Sequence, residues 1–307
     1  MTLHRLTQIV MGVPNVERTA AYYTEFGLTP GENGTLATVD GGEQLRIVAS
    51  GRRRLVQLGV GADDPDDLDR VAASLASIGV PVERAAGRVR AVDPGTEVAV
   101  QVEIAPRYQQ EPTPVPGYNS PGVTARSGQR APGILRDQPV RPRKLGHVVF
   151  GSTDQQLSQT FFQHGLGFKV SDTVPGLAAF LRCSTDHHNV LIQQAPVAFL
   201  HHTSWQVDDV DEVGRGASSM LAADPGRHVW GLGRHHVGSN FFWYLKDPAG
   251  NFSEYYSDLD CIVDDALWTP GVWEGARGLY SWGPPPPPSF LAPEDLAAMM
   301  TGTHSPR

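Results

Sequence analysis

The sequence predicts an α+β protein of two domains, each built from paired βαβββ modules. Three observations point to that architecture. Short strand-like runs and amphipathic helical runs follow one another in a recurring order. The pattern of the first half returns in the second half at a nearly fixed offset. A long Pro-, Gly- and Ser-rich stretch lies between the two.

Taken in order, Leu6-Thr7-Gln8-Ile9-Val10-Met11 is the first strand. Asn15 precedes a helix over 16–25 that turns Tyr22, Tyr23 and Phe26 inward, and Gly27 ends it. Strands are expected at 35–40, 43–49 and 55–61, the last of which closes this module or opens another. A helix at 65–79 and strands at 82–85, 87–92 and 97–104 follow. From Ala105 to Arg143 the composition changes and apolar periodicity disappears, as in a linker or a surface-hugging connection.

The second half then begins like the first. Lys144 to Phe150 parallels Arg5 to Met11, and 154–164, with Phe161-Phe162, parallels 15–25, with Tyr22-Tyr23. The offset is 139 residues (Gln8 to His147, Tyr22 to Phe161), drifting to 140 from Gly27 to Gly167. Strands at 178–183, 189–194 and 199–207 precede a helix at 210–223. A hairpin follows, with Asn240 to Leu245 as one strand, Asp247 to Asn251 as the turn and Phe252 to Tyr256 as the return. The expected divisions are 1–107, a repeat domain without metal; 108–143, the linker; 144–262, the catalytic metal-binding domain; and 263–307, a tail. The tail holds Trp268, Trp273 and Trp282, expected to cap the second domain, and a proline run at 284–288 suited to polyproline II or disorder.

Composition narrows the class. Of 307 residues 40% are hydrophobic and 19% charged, enough for a globular core. The net charge of −8 and the lack of a basic stripe argue against nucleic acid. No apolar run is long enough to span a membrane, and no signal-peptide pattern opens the chain. Two cysteines, Cys183 and Cys261, without a CxxC, fit free thiols in a reducing compartment, so a cytoplasmic protein is expected.

Glu254 is the anomaly. It stands among Phe252, Tyr255 and Tyr256 in a strand this apolar, where a carboxylate needs a positive partner. A metal ion is one such partner. Eleven histidines are present, and seven lie between His187 and His236, six of them as the pairs His187-His188, His201-His202 and His235-His236. His147 lies on the first strand of the second half. In the strand at 199–207 His202, Ser204 and Gln206 share one face and His201, Thr203 and Trp205 the other, so alternation leaves the choice between the two histidines open. Two histidines and one carboxylate from three strands would hold a divalent metal on one face and leave the other face open, a set suited to Fe(II) oxygenases.

The sequence resembles the type I extradiol ring-cleavage dioxygenases of the vicinal oxygen chelate superfamily. The matching pieces are Gly146-His147, His188 to Ile192, Leu200-His201-His202-Thr203-Ser204, Gly233-Arg234-His235 and Tyr244 to Glu254. They cover 144–262, and the repeat extends the likeness over most of the chain. The resemblance implies His147, His202 and Glu254 as the iron ligands, with the second histidine of its pair binding. It implies His188 as the catalytic acid–base, with His235 and Tyr244 touching substrate and oxygen. Fe(II) is the implied metal, Mn(II) being accepted by the same donors. A catechol-type diol and O2 are the implied partners, and a homo-oligomer the implied assembly. The sequence departs from the family at Val237 and Gly238, where an Asn or Asp is common. The first half carries Gln8 where the second carries His147, and reads as a module without metal. Two other readings compete: a glyoxalase-like isomerase or lyase, whose ligands come from both halves, and a non-catalytic binding protein of the same fold.

Overall fold

The computed structural model describes residues 3–114 and 117–302. Residues 1–2, 115–116 of the expected linker and 303–307 of the expected tail lie outside the described residues. Four βαβββ modules follow one another. The first is β1 (Leu3–Val13), a helix (Val16–Glu25), β2 (Thr29–Pro30), β3 (Thr35–Thr38) and β4 (Gly42–Ala49). The second is β5 (Arg54–Ala62), a helix (Pro65–Ser77), β6 (Glu83–Ala85), β7 (Arg88–Val92) and β8 (Ala99–Ile104). The third is β9 (Lys144–Ser152), a helix (Gln155–Thr160) that widens to π-type turns over Phe161–Leu166, β10 (Lys169–Val174), β11 (Ala178–Arg182) and β12 (Val190–Gln194). The fourth is β13 (Phe199–Gln206), a helix (Val210–Ala223), β14 (His228–His235), β15 (Phe241–Lys246) and β16 (Phe252–Ser257). The tail adds β17 (Gly271–Val272) and β18 (Tyr280–Trp282).

Two sheets result. One has the order β2-β3-β4-β1-β5-β8-β7-β6, the other β17-β10-β11-β12-β9-β13-β16-β15-β14-β18. In each, two modules meet at an antiparallel pair, β1 with β5 and β9 with β13. Each of those strands pairs in parallel with the last strand of its own module: β1 with β4, β5 with β8, β9 with β12 and β13 with β16. The repeat seen in the sequence is therefore a repeat of pairing, and β5 opens a module rather than closing one. Among the described residues no helix is long and apolar enough to cross a membrane.

β10 and β14 had no counterpart in the sequence reading. In β10, Ser171 and Asp172 read as turn formers, yet both are buried in the sheet. In β14, Gly231 and Gly233 interrupt the alternation, and the ladder to β15 shifts register beside each.

The two sheets share one continuous apolar core. The helix of the first module reaches across to the second sheet. Phe26 stacks face to face on Tyr255, centroids 3.8 Å apart. Tyr255 donates its hydroxyl hydrogen to the Phe26 carbonyl at 2.6 Å, and Tyr22 Oη lies 2.6 Å from Ser253 Oγ. In the opposite sense Gly165 of the third module packs on Leu75, where a Cβ would stand 2.7 Å from Leu75 Cδ2. The connection between the halves lies along the surface: Asp40 N–H donates to Arg143 O, and Arg136 pairs with Asp209 and Glu212. The crossing helix carries a testable load. Phe26→Ala removes a fully buried ring and should lower the unfolding free energy by about 3–5 kcal/mol, read from denaturant titration.

Candidate metal centre

The site is a row of side chains across four neighbouring strands. His147 of β9 stands opposite Ser204 of β13, Ser204 opposite Glu254 of β16, and Glu254 opposite Tyr244 of β15. Residues paired in this way share a face of the sheet, with Cβ atoms about 5 Å apart. Ser204 is the small member of the row. Its hydroxyl donates to Glu254 Oε2 at 2.6 Å, and His202 lies two residues along on the same face.

Three potential ligand atoms, one each from His147, His202 and Glu254, lie within 4.8 Å of one another, and all three residues are buried. Glu254 Oε2 is 3.1 Å from His147 Nε2 and 3.6 Å from His202 Nε2. Its Oε1 accepts a hydrogen bond from Asn240 Nδ2 at 3.1 Å and lies 3.7 Å from His235 Nε2. Burial alone would raise the acid's pKa. Hydrogen bonding from His147 and the surrounding imidazoles outweigh it and hold Glu254 well below the usual carboxylate range.

The donor set fits a divalent metal. His201 Nε2 is 2.6 Å from the Phe290 carbonyl, which only accepts, so this nitrogen carries the hydrogen. His201 Nδ1 is then bare and accepts from His202 Nδ1, 2.7 Å away. That leaves His202 Nε2 with a free lone pair, buried without a hydrogen-bond partner among the described residues. Burial, reinforced by His201, pushes the His202 pKa well below 6.5 and keeps the ring neutral, the form that binds metals. A buried lone pair beside a carboxylate and a second imidazole is what a cation would satisfy.

The remaining candidates gather around these three. The His188 ring lies 4.1 Å from that of His147. Burial, followed by the neighbouring His147, drives its pKa well below 6.5. The loop carrying it is fixed by Asn189, whose Nδ2 donates to Gly146 O and whose Oδ1 accepts from Cys183 N, and by the buried Lys144–Asp186 ion pair at 2.8 Å. His235 Nδ1 donates to Leu279 O, and its Nε2 accepts from the Tyr244 hydroxyl at 2.9 Å. Burial and then the charge of Glu254 push the Tyr244 pKa well above 10, so the phenol stays a donor. The structure thus brings all six sequence candidates together. His201 stands behind His202, and His236 is turned away against Trp273. Of the aromatic residues nearby, Phe180 and Phe242 touch His188 and His235, whereas Trp205 belongs to the core.

Sequence reasoning missed four contributors. Ser204 and Asn240 bind Glu254, and the hydroxyl of Tyr256, whose ring is 5.4 Å from His147, is buried without a partner among the described residues. The fourth is Asp172, 3.1 Å from His187 Nε2. Gly146 is there for Tyr256, since a Cβ would lie 1.9 Å from its hydroxyl oxygen. Gly238 has φ +84, and a Cβ there would be 3.0 Å from Leu259 and 3.4 Å from His188 Cε1. The polar side chain that this segment supplies to the carboxylate is therefore Asn240.

A cavity of about 740 Å³ lies elsewhere, between the first helix and the tail, and is lined by residues such as Arg18, Tyr22, Arg227, Lys246 and Glu294. None of the six candidates lines it. Converging donors, not cavity size, identify the site.

Comparison with known proteins gives the family. Residues 144–255 match the family model of the Glyoxalase/Bleomycin resistance protein/Dioxygenase superfamily. Metapyrocatechase 2 of Cupriavidus necator is 31% identical over 303 residues, covering 94% of this chain and 92% of its own. The chain belongs to the type I extradiol dioxygenases. A manganese-dependent 2,3-dihydroxybiphenyl 1,2-dioxygenase of Geobacillus genomosp. 3 matches this dioxygenase at 27% identity over 157 residues, 47% of this chain and 50% of the relative. The Mn(II)-bound glyoxalase from Novosphingobium aromaticivorans has the same fold, with a TM-score of 0.73, 25% identity and 93% of each chain covered. The fold is the two-domain vicinal oxygen chelate fold.

Two substitutions probe the centre. Glu254→Ala should abolish stoichiometric uptake of divalent metal, and Ser204→Ala should weaken it by about 10–100-fold. Elemental analysis after dialysis checks both, with circular dichroism confirming that the fold is kept.

Proposed function

We propose that this dioxygenase uses Fe(II), held by His147, His202 and Glu254, to open the ring of a catechol-type diol with O2 beside the diol. The observation that carries the reading is the bare, buried Nε2 of His202 converging with Glu254 and His147. Two imidazoles and a carboxylate are the donors used where a diol and O2 must share one metal. Held there, Fe(II) supplies the redox link between the electron-rich diol and O2.

The chain's own residues do the rest. The row on one sheet face fixes the ligands before substrate arrives, so their ordering is not part of the barrier. His188, neutral at physiological pH, takes the proton of a diol hydroxyl and returns a proton as the oxygen–oxygen bond breaks. His235 orients the Tyr244 hydroxyl, whose oxygen accepts a hydrogen bond from the diol. Phe180 and Phe242 keep water from this side. A cytoplasmic location and a homo-oligomer belong to the same reading; unpaired Cys183 and Cys261 support the first, and light scattering tests the second.

Likeness to a Mn(II)-bound glyoxalase favours one other reading, an isomerase or lyase on this fold. The distribution of donors speaks against it: the ligand set comes from the second half alone, while Gln8 of the first half spends its amide on Glu43 O.

Reconstitution under argon with Fe(II) or Mn(II), then addition of catechol and air, separates the readings. Uptake of one O2 per diol with a coloured ring-opened product is expected, and the metal that restores it names the cofactor. Isomerisation of a ketoaldehyde–thiol adduct without oxygen uptake would overturn the proposal. His188→Ala should keep its metal and slow turnover by about 10²–10⁴-fold.

A further inference from the structure

The pair His187-His188 is wired like the pair His201-His202, but to a different anchor. In both, the two rings face each other through their Nδ1 atoms, 3.0 Å apart in the first pair and 2.7 Å in the second. In both, the outer histidine is tied through Nε2. His201 is tied to the Phe290 carbonyl, whereas His187 is tied to the Asp172 carboxylate at 3.1 Å. Asp172 is buried in β10, and its other oxygen accepts from Gly271 N of β17 at 2.5 Å. The His187 ring is also packed edge-on against Trp268, and its backbone N–H donates to Asp260 O.

Resting on the dioxygenase reading, we infer that Asp172 and His187 are positioning residues that hold His188 with Nδ1 protonated and Nε2 bare toward the metal centre. A carboxylate oxygen accepts, so His187 Nε2 carries the hydrogen. A neutral imidazole has one N–H, so His187 Nδ1 is a lone pair. His188 Nδ1 must then donate, and its Nε2 is left as the proton acceptor, in a ring whose centre lies 4.1 Å from that of His147. When His188 takes the diol proton on Nε2, no bond elsewhere changes. The new positive charge faces a buried carboxylate through one intervening ring. The carbonyl anchor of the other pair offers a dipole only, which suits a ring that stays neutral to bind metal. The choice of anchor separates a ligand from a base in two otherwise matched pairs.

Asp172→Asn tests this with little change of shape. The amide NH2 turned toward His187 donates where the carboxylate accepted, reverses the chain of hydrogen bonds and places a hydrogen on His188 Nε2. His187→Phe keeps a ring but cuts the chain. Wild-type protein loaded with Fe(II) must first open a catechol ring; if it does not, the dioxygenase reading itself fails. Given that activity, both variants should keep stoichiometric metal and bind catechol with unchanged Kd, yet slow single-turnover ring opening by about 10–100-fold. In a His188→Ala background the same substitutions should change the rate by less than about twofold, because the group they position is gone. Full activity of Asp172→Asn, loss of its metal, or the same fold loss without His188 would each overturn the inference. If Asp172→Asn does not fold, His187→Phe carries the same comparison.

Discussion

A carboxylate that no water reaches governs this structure. Glu254 is wholly buried, and an ion in that position is stable only if several donors meet it at once. Ser204, Asn240 and His147 do so directly, from a neighbouring strand, the approach to β15 and the next strand but one. Their positions follow from strand pairing, so a slip of one residue between β13 and β16 would carry the acid to the opposite face. Local details obey the same demand. A serine in the middle of the row donates to the carboxylate, and a glycine before His147 makes room for Tyr256.

Much of this was legible in the chain. Glu254 drew notice as a charge in an aromatic strand, and the repeat announced the pairing pattern of both sheets. Alternation grouped His202 with Ser204 but could not say which face of that strand looked inward; the partner strand β16, with Glu254 beside Ser204, decides it. What stayed hidden arises between distant segments. Asp172 looks like a turn residue and lies in β10. Asn240 looks like the start of a strand and reaches across to a carboxylate. The carbonyls of Leu279 and Phe290 have no residue type to read at all.

The two halves cannot be described as a working domain and a spare. Helices cross between the sheets in both directions, and the Phe26–Tyr255 stack lies on the strand that carries Glu254. The first half lacks the ligand set, and its polar position Gln8 is used in ordinary hydrogen bonding. Its contribution is mechanical. It backs the second sheet from behind, so that a strand bearing a costly buried charge has a rigid support on its other face.

The tail is held to the site by main-chain atoms. Leu279 O fixes His235, Phe290 O fixes His201, and Gly271 N fixes Asp172. Any amino acid offers the same carbonyl, but Phe290 also packs its ring edge-on against His201 and Tyr280 packs on Trp230, so these side chains are held along with the main chain. Chain length is constrained as well. One residue inserted or lost between 271 and 290 would shift all later anchors by a peptide unit, so spacing is constrained in a stretch that, by composition, resembles a dispensable end.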